Sequence, residues 1–106
     1  MTSKKPASQK RAKPPLKSDY TKQFSKDWIR LSRSGRYDLQ RLKEAMLLLI
    51  ADDAPLPPEY LDHGLAGKWA DFRECHIGGD FLLVYQRVND AVIFAAAGTH
   101  SELFGK

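Results

Sequence analysis

The sequence has little of what would place it outside a cell or inside a membrane. It contains one cysteine, Cys75, so no internal disulfide can form, which suits a reducing cytoplasm. No apolar run approaches the roughly 18 residues of a membrane-crossing helix. Among the longest, residues 45–51 fall inside a helical pattern and read as core. Lysines crowd the N-terminus, but neither an apolar stretch nor a small-residue cleavage site follows, so no secretory leader is expected. Acidic residues are scarce in one half only: residues 1–50 carry 13 Lys and Arg against four Asp and Glu, whereas residues 51–106 carry four against nine. A basic half favours a polyanion such as RNA, or an acidic protein, through long-range attraction and counterion release. Lysines that only solvate helix faces and a tail produce the same count. With 106 residues, 42% of them hydrophobic, the chain can build one domain around a small core.

The pattern divides that chain. Residues 1–14 are mostly Lys, Ser, Pro, Gln and Ala and cannot bury enough surface to offset their ordering entropy, so they read as a flexible basic arm before a domain at 15–106. A short strand is expected near Leu16. Tyr20, Phe24, Trp28 and Leu31 then recur at helical spacing behind a cap at Ser18 or Asp19, and Ser34-Gly35 ends that helix. A second helix begins near Asp38, carries Leu39, Leu42, Met46 and Leu49 on one face, and stops before Pro55. Lys22, Lys26, Arg30 and Arg33 fall on other faces of the first helix. Residues 52–68, rich in Pro, Asp and Gly, read as a long loop of the kind that often carries function. Three strands follow, over 69–77, 81–88 and 92–97, joined at Gly78-Gly79 and at the two-residue turn Asn89-Asp90. The predicted class is α+β: an N-terminal α-hairpin packed on a small antiparallel sheet.

All three histidines lie in the second half. His76 and Asp80 flank the Gly-Gly turn, His100 follows the last strand, and His63 sits in the long loop. Imidazoles are the usual acids and bases near neutral pH, and metal-free RNA cleavage needs a base for the 2′-hydroxyl and an acid for the departing 5′-oxygen. Any one histidine is more often structural than catalytic. The spacings of 13 and 24 residues between successive histidines match no zinc motif, so neither a metal nor another cofactor is expected. Trp69, Phe72, Phe81 and Phe94 read as core, whereas Phe104, beside Gly105 near the terminus, is a candidate for stacking on a base.

Three stretches carry a resemblance. They are Leu56-Pro57-Pro58-Glu59-Tyr60-Leu61-Asp62-His63, then Arg73-Glu74-Cys75-His76-Ile77 after Trp69, and Gly98-Thr99-His100-Ser101-Glu102-Leu103-Phe104-Gly105. Together with the α-hairpin they resemble the YafQ branch of the RelE superfamily of bacterial toxins over roughly residues 15–105. The resemblance implies the toxin of a type II toxin–antitoxin pair: a cytoplasmic, ribosome-dependent mRNA endoribonuclease neutralised by an acidic antitoxin, needing no metal. It assigns catalysis to His63, His76, Asp80 and His100 without saying which imidazole is acid and which is base; His100 as acid, with Asp80 and His76 as base and orienter, is one arrangement of these roles. It makes Phe81, Phe104 and Arg73 candidates for holding the substrate, and Lys22, Lys26, Arg30 and Arg33 candidates for docking on the ribosome. One position departs. Where the family has an arginine, four residues before His100, this chain has Ala96. That loss implies reduced activity, with no buried polar group left unpaired. A binding poison of DNA gyrase, like the ParE relatives, is the alternative on the same fold.

Overall fold

The computed structural model describes residues 15–105; the arm expected over residues 1–14 lies outside them. The chain runs β1 (Lys17–Tyr20), α1 (Lys22–Ser34), α2 (Leu39–Ala51), β2 (His63–Gly64), β3 (Arg73–Gly78), β4 (Phe81–Val88), β5 (Ala91–Gly98) and α3 (His100–Phe104), with 3-10 turns at Pro58–Tyr60 and Gly67–Trp69. The strands form one sheet in the order β1-β5-β4-β3-β2. The α+β class holds, with one correction to the sheet. β1 lies parallel to β5, while the other neighbours are antiparallel. A parallel pair needs a long crossover, and the α-hairpin with the following strands supplies it.

Local chemistry sets the helix ends. The first helix starts later than its apolar period predicts, because Tyr20 belongs to β1 and is 61% exposed. Thr21, not Ser18 or Asp19, is the cap: its hydroxyl oxygen accepts from Phe24 N at 3.0 Å and its proton goes to Ala95 O at 2.7 Å. The cap therefore also pins α1 to β5. Gly35, at φ 67°, closes the helix in the left-handed conformation. Asp38 caps α2 by accepting from Arg41 N at 3.0 Å.

The sheet has two covered faces. Phe24 and Leu31 of α1, and Leu42, Ala45 and Leu49 of α2, bury one face together with Cys75, Ile77, Phe81, Leu83, Tyr85, Val92 and Phe94. On the other face Val84, Ala95 and Ala96 lie under Leu65, Phe72, Leu103 and Phe104. A bulge makes this possible. Val84 pairs with Ala96 and Tyr85 with Phe94, leaving Ala95 unpaired, so Ala95 and Ala96 both join the second face.

Cys75 is fully buried in the first of these faces, and burial pushes its thiol up from 9.0 to about 12. Because the folded value is raised, the protonated thiol favours the fold below the ordinary cysteine range, and that contribution is lost as pH climbs through the folded value. Native protein at pH 8 is expected to react with iodoacetamide at least about a thousandfold more slowly than denatured protein, since only thiolate reacts. Comparable rates by mass spectrometry would mean that this side of the sheet opens readily.

Candidate active site

Register across the sheet assembles the site. On β3 the alternation sends Glu74 and His76 to the same face as Val84 and Ala96, and Arg73 and Cys75 to the helix face. β2 sets His63 directly opposite Glu74. The row His63, Glu74, Val84, Ala96 thus crosses four strands. The next row brings His76 beside Leu82 and Gly98, and two residues past Gly98 the chain enters α3 at His100.

Three imidazoles converge there on one carboxylate. Glu74 Oε2 lies 3.2 Å from His63 Nε2, 3.6 Å from His100 Nε2 and 3.9 Å from His76 Nε2. The Glu74 side chain is only 4% exposed, and its other oxygen, Oε1, is buried without a hydrogen-bond partner. A buried carboxylate is costly unless paired, so the three ring edges are what make Glu74 tolerable. Each ring is also held from behind. His63 Nδ1 meets Leu61 O at 2.8 Å, His76 Nδ1 meets Gly79 O at 3.4 Å, and His100 Nδ1 donates to Asp80 Oδ1 at 2.7 Å. The His100 hydrogen bond is the main reason the exposed Asp80 carboxyl sits below its ordinary value. A carboxyl lowered in the folded state adds stability above the unfolded value and loses it as pH falls through the folded one, so this bond persists through the neutral range.

Beside the imidazoles a cleft of about 330 Å³ is lined by Leu65, Ala66, Trp69, Glu74, His100 and Phe104. Trp69 and Phe104 meet edge to face with ring centres 5.4 Å apart, and Phe104 also lies 6.0 Å from His100. Aromatic walls beside an acid–base group suit a nucleobase next to a phosphate.

The family model described as the bacterial toxin of type II toxin–antitoxin systems, YafQ, matches residues 16–105. The chain belongs to the YafQ family. It is 39% identical to the mRNA interferase toxin YafQ of Escherichia coli K12 over 87 residues, spanning 82% of this chain and 94% of that one. Among solved structures, the E. coli DinJ–YafQ complex superposes with a TM-score of 0.76 at 38% identity, covering 85% of this chain and 99% of that one. A copper-bound mutant toxin from Helicobacter pylori superposes at 0.77 with 45% identity, covering 84% and 99%.

Against the YafQ pattern, the fold brings His63, His76 and His100 together around Glu74, a residue the sequence reading passed over. It also changes a pairing. Asp80 orients His100, not His76. Phe81 is not free to stack on a nucleotide: it is 5% exposed and packs on Tyr37 with ring centres 4.9 Å apart. Trp69, read as core, is instead a half-buried wall of the cleft, because it sits in a 3-10 turn outside the sheet. Arg73 lies on the opposite face, paired with Asp62 at 3.4 Å. Ala96, where the resemblance expects an arginine, is 7% exposed beneath Leu103 and Phe104.

A cation fits part of this cluster. One ligand atom each from His63, Glu74 and His76 lies within 4.8 Å of the others, and two imidazoles with a carboxylate make a donor set for a divalent transition ion. The mismatch with zinc motifs in sequence arose because His63 comes from β2 while Glu74 and His76 come from β3.

Proposed function

We propose that this chain is the toxin of a type II toxin–antitoxin pair and cuts mRNA on the ribosome in the cytoplasm. The observation that carries the reading is the convergence of three imidazoles on Glu74 beside an aromatic cleft, in a family whose curated relative is an mRNA interferase. A poison acting by binding alone needs no such constellation, and none of the relatives supports the gyrase alternative.

In the mechanism we infer, His100 is the general acid. Asp80 holds its Nδ1–H, which leaves Nε2 facing the cleft. Nδ1 of His63 or His76 donates to a backbone carbonyl, so the neutral ring keeps a lone pair on Nε2; that nitrogen takes the proton of the 2′-hydroxyl, and Glu74 stabilises the imidazolium that forms. The 2′-oxygen attacks phosphorus, the bond to the 5′-oxygen breaks, and His100 protonates that oxygen as it leaves. The products are a 2′,3′-cyclic phosphate and a 5′-hydroxyl. Phe104 and Trp69 hold the base next to the scissile phosphate. A bound transition ion would act as a Lewis acid. It would also occupy the imidazole lone pairs that proton transfer uses, so cleavage is expected to persist in EDTA and to fall when zinc is added.

The partner reading follows from charge and shape. β1 is an exposed edge strand, and Tyr20, Phe24, Trp28, Ile29 and Met46 form an apolar cleft of about 300 Å³ on the helix that carries Lys22, Lys26 and Arg33. Those features suit an acidic antitoxin that orders on binding; the E. coli relative was solved in complex with DinJ.

Primer extension on message translated in a cell-free system tests the nuclease. Codon-phased cuts that require ribosomes are expected, with ends carrying cyclic phosphate. Equally rapid cutting of naked RNA, or gyrase-dependent DNA breaks in place of RNA cuts, would overturn the reading.

A further inference from the structure

Arg30 sits on the basic helix α1, yet its guanidinium turns to the other end of the site. Nη1 pairs with Glu102 Oε2 at 3.0 Å, and Nη2 reaches Ala97 O at 3.0 Å and Asp27 Oδ1 at 3.3 Å. Asp27 is itself buried, 3% exposed, where its Oδ2 accepts from Ala97 N at 3.0 Å and its Oδ1 from Gln23 Nε2 at 2.8 Å. Glu102 uses its second oxygen to accept from Thr99 N at 2.9 Å, while Thr99 accepts from Glu102 N at 3.2 Å. The chain of bonds runs from the middle of α1, across the end of β5, to the first turn of α3.

That first turn begins with His100. A helix of five residues has almost no stability of its own, so its position depends on what anchors it. The packing at the anchor is close. A side chain at Gly98, where φ is 157°, would place its Cβ 2.7 Å from Glu102 Oε1 and 3.1 Å from Arg30 Nη2. An arginine serving only to meet phosphate would not be tied to two carboxylates and a carbonyl.

We propose that Arg30, with Asp27 and Glu102, is a positioning residue that fixes His100 against Asp80 and Glu74, and is not a ribosome-docking residue. The proposal rests on His100 being the proton donor. Arg30 touches no reacting atom; it acts through Glu102 and the α3 cap.

Single-turnover cleavage of ribosome-bound message, measured across ribosome concentrations, separates the two roles. Arg30→Met is expected to lower the maximal rate by roughly a hundredfold, the cost of misplacing a catalytic group by about an ångström, with the half-saturating ribosome concentration unchanged. Arg30→Lys should recover part of the rate. Glu102→Gln should reproduce the loss, and the double variant should be no slower than the slower single, because both break one network. The ¹⁵N spectrum gives a second readout: the His100 ring should lose the Nδ1–H pattern that its bond to Asp80 enforces. Should Arg30→Met not fold, Glu102→Gln carries the same test. A weakened ribosome affinity with unchanged maximal rate would make Arg30 a docking residue, and an unchanged His100 spectrum would overturn the positioning role. If the parent protein cuts no RNA, the nuclease reading fails while the spectrum still decides the positioning.

Discussion

Glu74→Gln is expected to lower cleavage by about 10²–10⁴-fold, the usual contribution of a positioned acid–base group. The amide keeps the shape of the carboxylate, so the fold should survive. What it removes is the negative charge at the point where His63, His100 and His76 approach within 3.2, 3.6 and 3.9 Å of one oxygen. Without that charge the imidazole that takes the proton loses the anion that stabilises its cation. Glu59→Gln, at an exposed turn, is the control and should change nothing. Rates should be taken in EDTA, because Glu74 also belongs to the cluster that can hold a cation. The complex with the antitoxin should form as before, which separates lost chemistry from lost structure. A Glu74→Gln rate within about threefold of the parent, well short of a typical acid–base contribution, would show that the carboxylate fills space and that the imidazoles work without it.

Much of the scaffold was legible because local chemistry punctuates it. Gly35 and Asp38 mark one helix end and one helix start where they were expected, and β4 runs over the predicted residues. Glu74 was missed even though alternation from His76 puts it on the same face. A glutamate on a strand reads as solvated, and what buries this one is β2, two residues long, which leaves no periodic trace. The partner of Asp80 was misassigned for a related reason. Sequence proximity favoured His76, but the partner is set by where β5 delivers His100, and that depends on the bulge at Ala95. Phe81 was the opposite case. It shares its face of β4 with Leu83 and Tyr85, so the alternation already placed it in the core.

Ala96→Arg is expected to raise cleavage by roughly two to three orders of magnitude and to make expression toxic. A preorganised cation beside the scissile phosphate commonly lowers the barrier by about 2.7–4 kcal/mol, and at this position the chain has only a methyl group. The structure adds a second consequence that the sequence reading did not foresee. Ala96 was expected to leave no buried polar atom unpaired, but Glu74 Oε1 is one, and it belongs to the same cross-strand row as Ala96, with Val84 between them. Two strand spacings separate Glu74 from Ala96, roughly 9–10 Å, and an extended arginine side chain spans most of the distance. Its path lies beneath Leu103 and Phe104 toward the cleft beside His100. There one edge of the guanidinium can satisfy Glu74 while the other meets the phosphate. Satisfying a buried orphan is worth about 1–3 kcal/mol, so the variant should also melt higher than the parent. Single-turnover cleavage of ribosome-bound message and a thermal melt check the two effects separately. A faster enzyme with an unchanged melting point would mean that the guanidinium meets phosphate without touching Glu74. A higher melting point with an unchanged rate would mean that Glu74 captures it and that another group already supplies the charge at phosphorus. A variant altered in neither would refute both the register argument and the role given to the missing arginine.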